Sequence, residues 1–164
     1  MSLDKLFSAF SIGTLEMKNR IAMAPMGTNY ATPEGFVTDR QIAYYVERAK
    51  GGAGYITVEN TAILRQGRTS SKANLISSDE HAAGIGKMIE AVHRAGGKIV
   101  IQLNHAGRQT SSAVAGSPIV APSALTWAKA NEIPKELDPG EIEVITTAFA
   151  DAAQRAKNAG ADGV

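Results

Sequence analysis

The run Ile99-Val100-Ile101-Gln102-Leu103-Asn104 sets an amide side chain inside an otherwise apolar alternation. Successive side chains of a strand face opposite ways, so Ile99, Ile101 and Leu103 share one face and Val100, Gln102 and Asn104 the other. The wholly apolar face belongs against helices, which turns Gln102 inward, near the end of the strand. A buried amide without partners costs about 1–3 kcal/mol. Gln102 therefore needs the backbone of a neighbouring strand, or a ligand edge offering both donor and acceptor, as a heteroaromatic ring does. The residues alone leave both open.

Two other candidate strands end in groups of similar interest. Tyr55-Ile56-Thr57-Val58 runs into Glu59-Asn60, which read either as polar groups at a ligand rim or as solvated loop residues. Ile21–Met26 closes with Ala24-Pro25-Met26-Gly27. The proline removes a backbone donor and the glycine lets a flat ligand approach, yet an ordinary strand terminus looks the same. His105 and Arg108 follow the Gln102 strand, while His81 and His93 fall near helix ends. One His beside one Arg lacks the donors of a metal site, so no metal is expected. His105 reads as a loop-stabilising hydrogen-bonding group rather than a catalyst. Arg108 would meet an anionic ligand, or be solvated or ion-paired as loop arginines often are. Tyr30 flanks a ligand or packs a loop.

These groups need a scaffold, and three similar helical patterns supply it. Thr38 with Gln41, and Ser77 with Glu80, have the spacing of capping boxes; Asp138-Pro139 gives an N-cap with proline at the first helical position. The apolar stripes are Ile42, Tyr45, Val46 and Ala49; Ile85, Met88, Ile89 and Val92; and Ile142, Ile145, Phe149, Ala152 and Ala156. Gly51, Gly96 and Gly160 stand where left-handed C-caps are expected. Strands over 21–26, 55–60 and 98–103, with a fourth beginning at 161–164, alternate with these helices, which predicts a parallel sheet. Residues 10–17 read as a short hairpin, placed as a lid over one end of that sheet.

The helix-to-strand joints are tight, whereas the strand-to-helix connections over 27–37, 61–76 and 104–137 are long. Long connections at the C-terminal strand ends mark the ligand face of parallel α/β proteins. Gly51-Gly52-Ala53-Gly54 precedes a strand and so is a helix cap and turn rather than a dinucleotide loop. Gly84-Ile85-Gly86-Lys87 lies within a helix, with Met88 where a phosphate loop needs Ser or Thr, and reads as close helix packing. The chain has 164 residues, 44% of them hydrophobic, 20% charged, and no Cys. A formal charge of +1 supports no nucleic-acid partner. Neither a signal peptide nor a membrane span is readable, so a cytoplasmic location is expected.

KNRIAMAPMG (18–27), YITVEN (55–60) and IVIQLNHAGR (99–108), with LFSAFSIGTLEMKNRI (6–21) and APSAL (121–125), together resemble the Old Yellow Enzyme-like NADH:flavin oxidoreductases, in particular the bacterial 2,4-dienoyl-CoA and enoate reductase branch. The resemblance implies an α/β fold, the N-terminal half of a (β/α)₈ TIM barrel with an N-terminal β-hairpin, residues 1–164 supplying strands 1–3 and the start of strand 4. It implies FMN as cofactor, NADH or NADPH as reductant, and an α,β-unsaturated small molecule or other acceptor as substrate, in an enzyme expected to be homo-oligomeric. By position, Ala24, Pro25, Met26 and Gly27 would line the flavin, Asn60 would sit near its N5–C4 edge, and Gln102 would bond its pyrimidine edge. Tyr30 and Arg108 are the weaker substrate candidates. Many relatives carry Cys, Thr or His where Gly27 stands; with glycine there, this chain lacks that side-chain bond to the flavin, whose potential is expected to differ. Catalytic residues of the family, and the cysteines of members with an iron–sulfur cluster, are expected beyond Val164. A barrel needs about 250 residues, so the isolated chain is expected to bind FMN weakly, to be inactive and to self-associate. A barrel enzyme without flavin is the alternative.

Overall fold

The computed structural model describes residues 3–127 and 132–164. In chain order the elements are α1 (Asp4–Phe7), β1 (Phe10–Ile12), β2 (Leu15–Met17), β3 (Ala22–Met23), α2 (Asp39–Lys50), β4 (Tyr55–Ala62), a 3₁₀ turn (Arg65–Gly67), β5 (Asn74–Leu75), α3 (Asp79–Arg94), β6 (Ile99–Asn104), α4 (Ser112–Ala115), β7 (Val120–Ala121), β8 (Lys135–Glu136) and α5 (Pro139–Asn158).

The central sheet is parallel and runs in chain order. β3 pairs with the start of β4, β4 pairs with β6 along its length, and Val100 of β6 makes a parallel bridge to Gly163. The expected fourth strand therefore begins where 161–164 placed it. Apart from the two-residue β5, each strand of this sheet lies beside the one before it, so the described residues show no switch point of the doubly wound kind. Ile56 and Val58 of β4 and Ile99 and Ile101 of β6 are fully buried against Tyr45 and Ala49 of α2, the Ile85–Met88–Ile89–Val92 stripe of α3, and Ala152 and Ala156 of α5. Gly86 of α3 faces Ala159, just past α5, but a methyl group there would lie 3.8 Å from the Ala159 Cβ, an ordinary contact, so the packing does not depend on the glycine.

Several boundaries differ from those the residues suggested. The first strand keeps its ladder only over Ala22–Met23, because Pro25 has no N–H to give and the chain peels away. β4 instead runs two residues past Asn60, since β5 pairs with Thr61 and Ala62 on the edge that β3 has left. β6 is shifted by one residue, its Asn104 pairing with Ala62. The α3 cap is Ser78 rather than Ser77, and its third helical residue is His81, so no Glu80 capping box forms. Thr38 does cap α2, but Gln41 turns inward instead of reaching back to it. Asp138 forms a full box with Glu141. Gly96 and Gly160 are left-handed as expected, whereas Gly51 is helical and Gly52 (φ 96°) makes the turn. The start of the α5 stripe is open: Ile142 is 50% exposed, although Ile145, one turn on, packs against the core. The long 104–137 connection contains α4 and the parallel pair β7–β8; its residues 128–131 lie outside the described ones.

The hairpin β1–β2 forms as expected, turning at Gly13 (φ 58°). The segment after it is tied to the helix-to-strand joints, with Asn19 Nδ2 donating to the Gly52 carbonyl (2.7 Å) and Lys18 Nζ to the Gly96 carbonyl (3.2 Å). It thus closes the N-terminal ends of the strands and leaves the C-terminal ends to the long loops. No described helix is long and apolar enough to cross a membrane.

Asp162 fastens the fourth strand to the third. Its carboxylate accepts from the Ile99 N–H (2.8 Å), His93 Nε2 (2.7 Å) and Lys98 Nζ (3.0 Å). Burial disfavours the charge, but the Ile99 N–H, then His93 and Lys98, outweigh it and hold the carboxyl below its usual range. A depressed folded-state value stabilises the fold at pH above the unfolded value of about 4, and that contribution is lost as pH falls through the folded one. His93 and Lys98 are partly solvated, which weakens their share. Asp162→Asn is expected to cost about 1–2 kcal/mol at pH 7. In urea unfolding, the gap from the parent chain should shrink below pH 4; a gap independent of pH would refute the assignment.

Candidate functional site

The site begins with an irregularity in β4. Val58 pairs with Ile101 and Thr61 with Leu103, so two residues of β4, Glu59 and Asn60, oppose the single Gln102 of β6. That is a β-bulge, which turns side chains away from simple alternation. Side chains satisfy the backbone groups of Glu59. Its N–H donates to the Tyr45 hydroxyl oxygen (3.0 Å), and its carbonyl accepts from the Thr61 hydroxyl (2.9 Å). Burial pushes the Tyr45 phenol well above its usual value, so it stays a neutral partner.

The Glu59 side chain is buried, contrary to the solvated-loop alternative. Its carboxylate gathers the Thr28 N–H (2.5 Å), the Thr28 hydroxyl (2.6 Å) and the Gln41 amide. One acceptor thus joins the first long loop, helix α2 and the bulge. Gln41 was readable only as a capping residue; its place on the same helical face as Tyr45 and Ala49 is the signal of its burial.

Arg68 clamps the next loop from within. Its guanidinium, 1% exposed, donates to the carbonyls of Pro33 (2.7 Å), Ser71 (2.7 Å) and Ala73 (2.9 Å). Burial, and then the neighbouring Arg65 charge, lower its proton affinity, while three carbonyl dipoles compensate. Nothing in the local sequence marked this residue, since its partners are backbone groups of loops.

The structure brings Gly27, Asn60 and Gln102 to one place. Gln102 faces the open inner side of the sheet and is exposed, opposite the buried Ile99 and Ile101. Ala22, Ala24 and Met26 alternate outward on the same open side of the first strand, with Pro25 half-buried between them. A methyl group at Gly27 would lie 3.7 Å from Glu59 Oε2 and 3.8 Å from Asn60 Nδ2, so the glycine faces the bulge. The Asn60 oxygen accepts from the Thr69 hydroxyl at 2.7 Å.

The other candidates sit elsewhere. Tyr30 packs edge-on against Tyr44 with Arg40 over its ring (3.9 Å), contacts that hold the first loop on α2. Arg108 donates to the Leu125 carbonyl (3.0 Å), pinning two parts of the third loop together. His105 accepts from the Gly107 N–H (3.1 Å), and burial lowers its proton affinity, which suits a neutral loop-stabilising ring.

Glu59→Gln would turn an NH₂ group toward the Thr28 or Gln41 donors and is expected to destabilise by about 2–4 kcal/mol. Thr28→Ala, which leaves the carboxylate two of its three donors, should cost about 1 kcal/mol. Equal costs in urea unfolding would show that Glu59 does not join the elements.

Residues 5–164 match the NADH:flavin oxidoreductase / NADH oxidase family. An NADH oxidase of Thermoanaerobacter brockii is 44% identical over 161 residues, covering 97% of this chain and 25% of the relative. An NADPH dehydrogenase of Clostridium acetobutylicum is 42% identical over 160 residues, covering 98% of this chain and 47% of the relative. The Old Yellow Enzyme homologue of Zymomonas mobilis superposes with a TM-score of 0.90 at 36% identity, covering 98% of this chain and 47% of that one. The chain thus spans a quarter to about half of the length of these proteins. With its sheet in chain order and its long loops at the C-terminal strand ends, the chain belongs to the NADH:flavin oxidoreductase family and has the fold of the N-terminal half of its (β/α)₈ barrel.

Proposed function

We propose that the full-length protein is an FMN-dependent NAD(P)H oxidoreductase in which this chain holds one edge of the flavin. Gln102 carries this reading: an amide on the open face of β6, without a hydrogen-bond partner among the described residues, opposite the bulge that holds Asn60 and that Gly27 faces. Such an amide fits the pyrimidine edge of a flavin, which offers both acceptor and donor groups. The space beside Gly27 suits the close approach of a flat ring.

In this reading Ala24, Pro25, Met26 and Gly27 lie along the ring, Asn60 stands at its N5–C4 edge, and Gln102 fixes its rotation. When bound, FMN supplies a hydride relay between NADH or NADPH and an electron-poor acceptor such as an activated C=C bond. The chain's own contribution is positioning. Glu59 holds Thr28, and through it Gly27, while Arg68 ties the first loop to the second. Groups that clamp the acceptor and deliver its proton belong to later barrel strands. The substrate would be a small α,β-unsaturated molecule, and the enzyme a cytoplasmic homo-oligomer. The 164 residues alone would bind FMN weakly and self-associate through exposed residues such as Ile142 and Val144.

Full-length protein titrated with FMN should take it up tightly, with altered flavin absorbance that bleaches on anaerobic addition of NADH or NADPH. Gln102→Leu should weaken uptake about tenfold, the equivalent of about 1.4 kcal/mol for a lost hydrogen bond. No flavin uptake by the parent protein would overturn the proposal.

A further inference from the structure

Asn60 has two chemically opposite ends, and its surroundings distinguish them. The oxygen is engaged by the Thr69 hydroxyl at 2.7 Å. The NH₂ group faces the other way, 3.8 Å from the position a Gly27 methyl would take. Glu59 Oε2 lies 3.7 Å from that same position. A carboxylate oxygen there favours an NH₂ over a second oxygen, and the Thr69 hydroxyl, free to donate, then holds the amide oxygen on its own side. Gly27 itself offers no side chain to that space. Among the described residues no hydrogen-bond acceptor engages the Asn60 NH₂.

We propose that Thr69 is a positioning residue: by holding the Asn60 oxygen it presents the Asn60 NH₂ as a hydrogen-bond donor in the space left open by Gly27, where an acceptor edge of the flavin meets it. This rests on the flavin reading above. A donor at that edge stabilises the electron-rich reduced ring more than the oxidised one, because the acceptor atoms gain negative charge on reduction. Thr69 thereby influences the flavin potential without touching the flavin. Thr69 is exposed, and its side chain bonds only Asn60 among the described residues, so replacing it leaves the core intact.

The test uses the full-length, FMN-loaded protein and reads the midpoint potential of the bound flavin. Thr69→Val, close in shape but without the hydroxyl, is expected to shift the equilibrium about tenfold toward oxidised flavin, which for a two-electron couple is about 30 mV. Asn60→Ala should give at least the same shift, and adding Thr69→Val to it should change nothing further, since Thr69 acts through Asn60. Thr69→Ser, which keeps the hydroxyl, should stay within about twofold of the parent. Flavin uptake with an unchanged potential in Thr69→Val overturns this inference alone, as does full additivity of the two substitutions. A parent protein that takes up no flavin overturns the functional reading, and this inference with it.

Discussion

The extra residue in β4 is the constraint on which the site depends. A bulge removes backbone groups from the ladder, and a buried group so freed must find another partner. Here Tyr45 and Thr61 supply those partners, and the side chain of Glu59 then becomes the acceptor for loop and helix donors. Because two residues oppose one, Gln102 is faced by both Glu59 and Asn60. One of these turns into the protein as an anchor and the other stays at the rim. The departure from alternation is that Val58 and Glu59, neighbours in sequence, are both buried, which a regular strand with one open face would not allow.

The two ends of the sheet are held by different means. At the N-terminal ends, short contacts suffice: Asn19 to Gly52, Lys18 to Gly96, and Asp162 to Ile99. At the C-terminal ends the loops are long, and a wholly buried Arg68 and a buried Glu59 hold them through backbone and hydroxyl partners. Neither forms an ion pair among the described residues. Polar clamps of this kind fix loop geometry in one arrangement, since any other leaves a charged group unsatisfied. That suits loops whose task is to keep a few atoms in place.

The helices and their order were legible in the residues, because apolar spacing and caps are local signals. The inward direction of Gln102 was legible too, since β6 keeps strict alternation. What escaped detection depended on pairing between distant segments. The bulge is visible only once β4 is set against β6, and the extension to Ala62 only once β5 is seen to replace β3 on its edge. Gln41 satisfied a capping pattern and so concealed its bond to Glu59, eighteen residues away. Ser77 and Ser78 are both good caps, and in the structure it is Ser78 that accepts from the His81 N–H. Ile142 of α5 is the converse case: it has the right spacing for burial but stays 50% exposed.

The chain-order sheet has a bearing on how the molecule is made. The β3–β4, β4–β6 and β6–Gly163 pairings each join a strand to one synthesised roughly thirty to sixty residues earlier, with its covering helix in between. A nascent chain emerging from a ribosome can therefore add one strand-helix unit at a time to an existing edge, without awaiting a distant partner. The growing edge is the vulnerable point throughout, so the pace of translation and the access of chaperones to that edge bear on yield as much as the stability of the finished protein does.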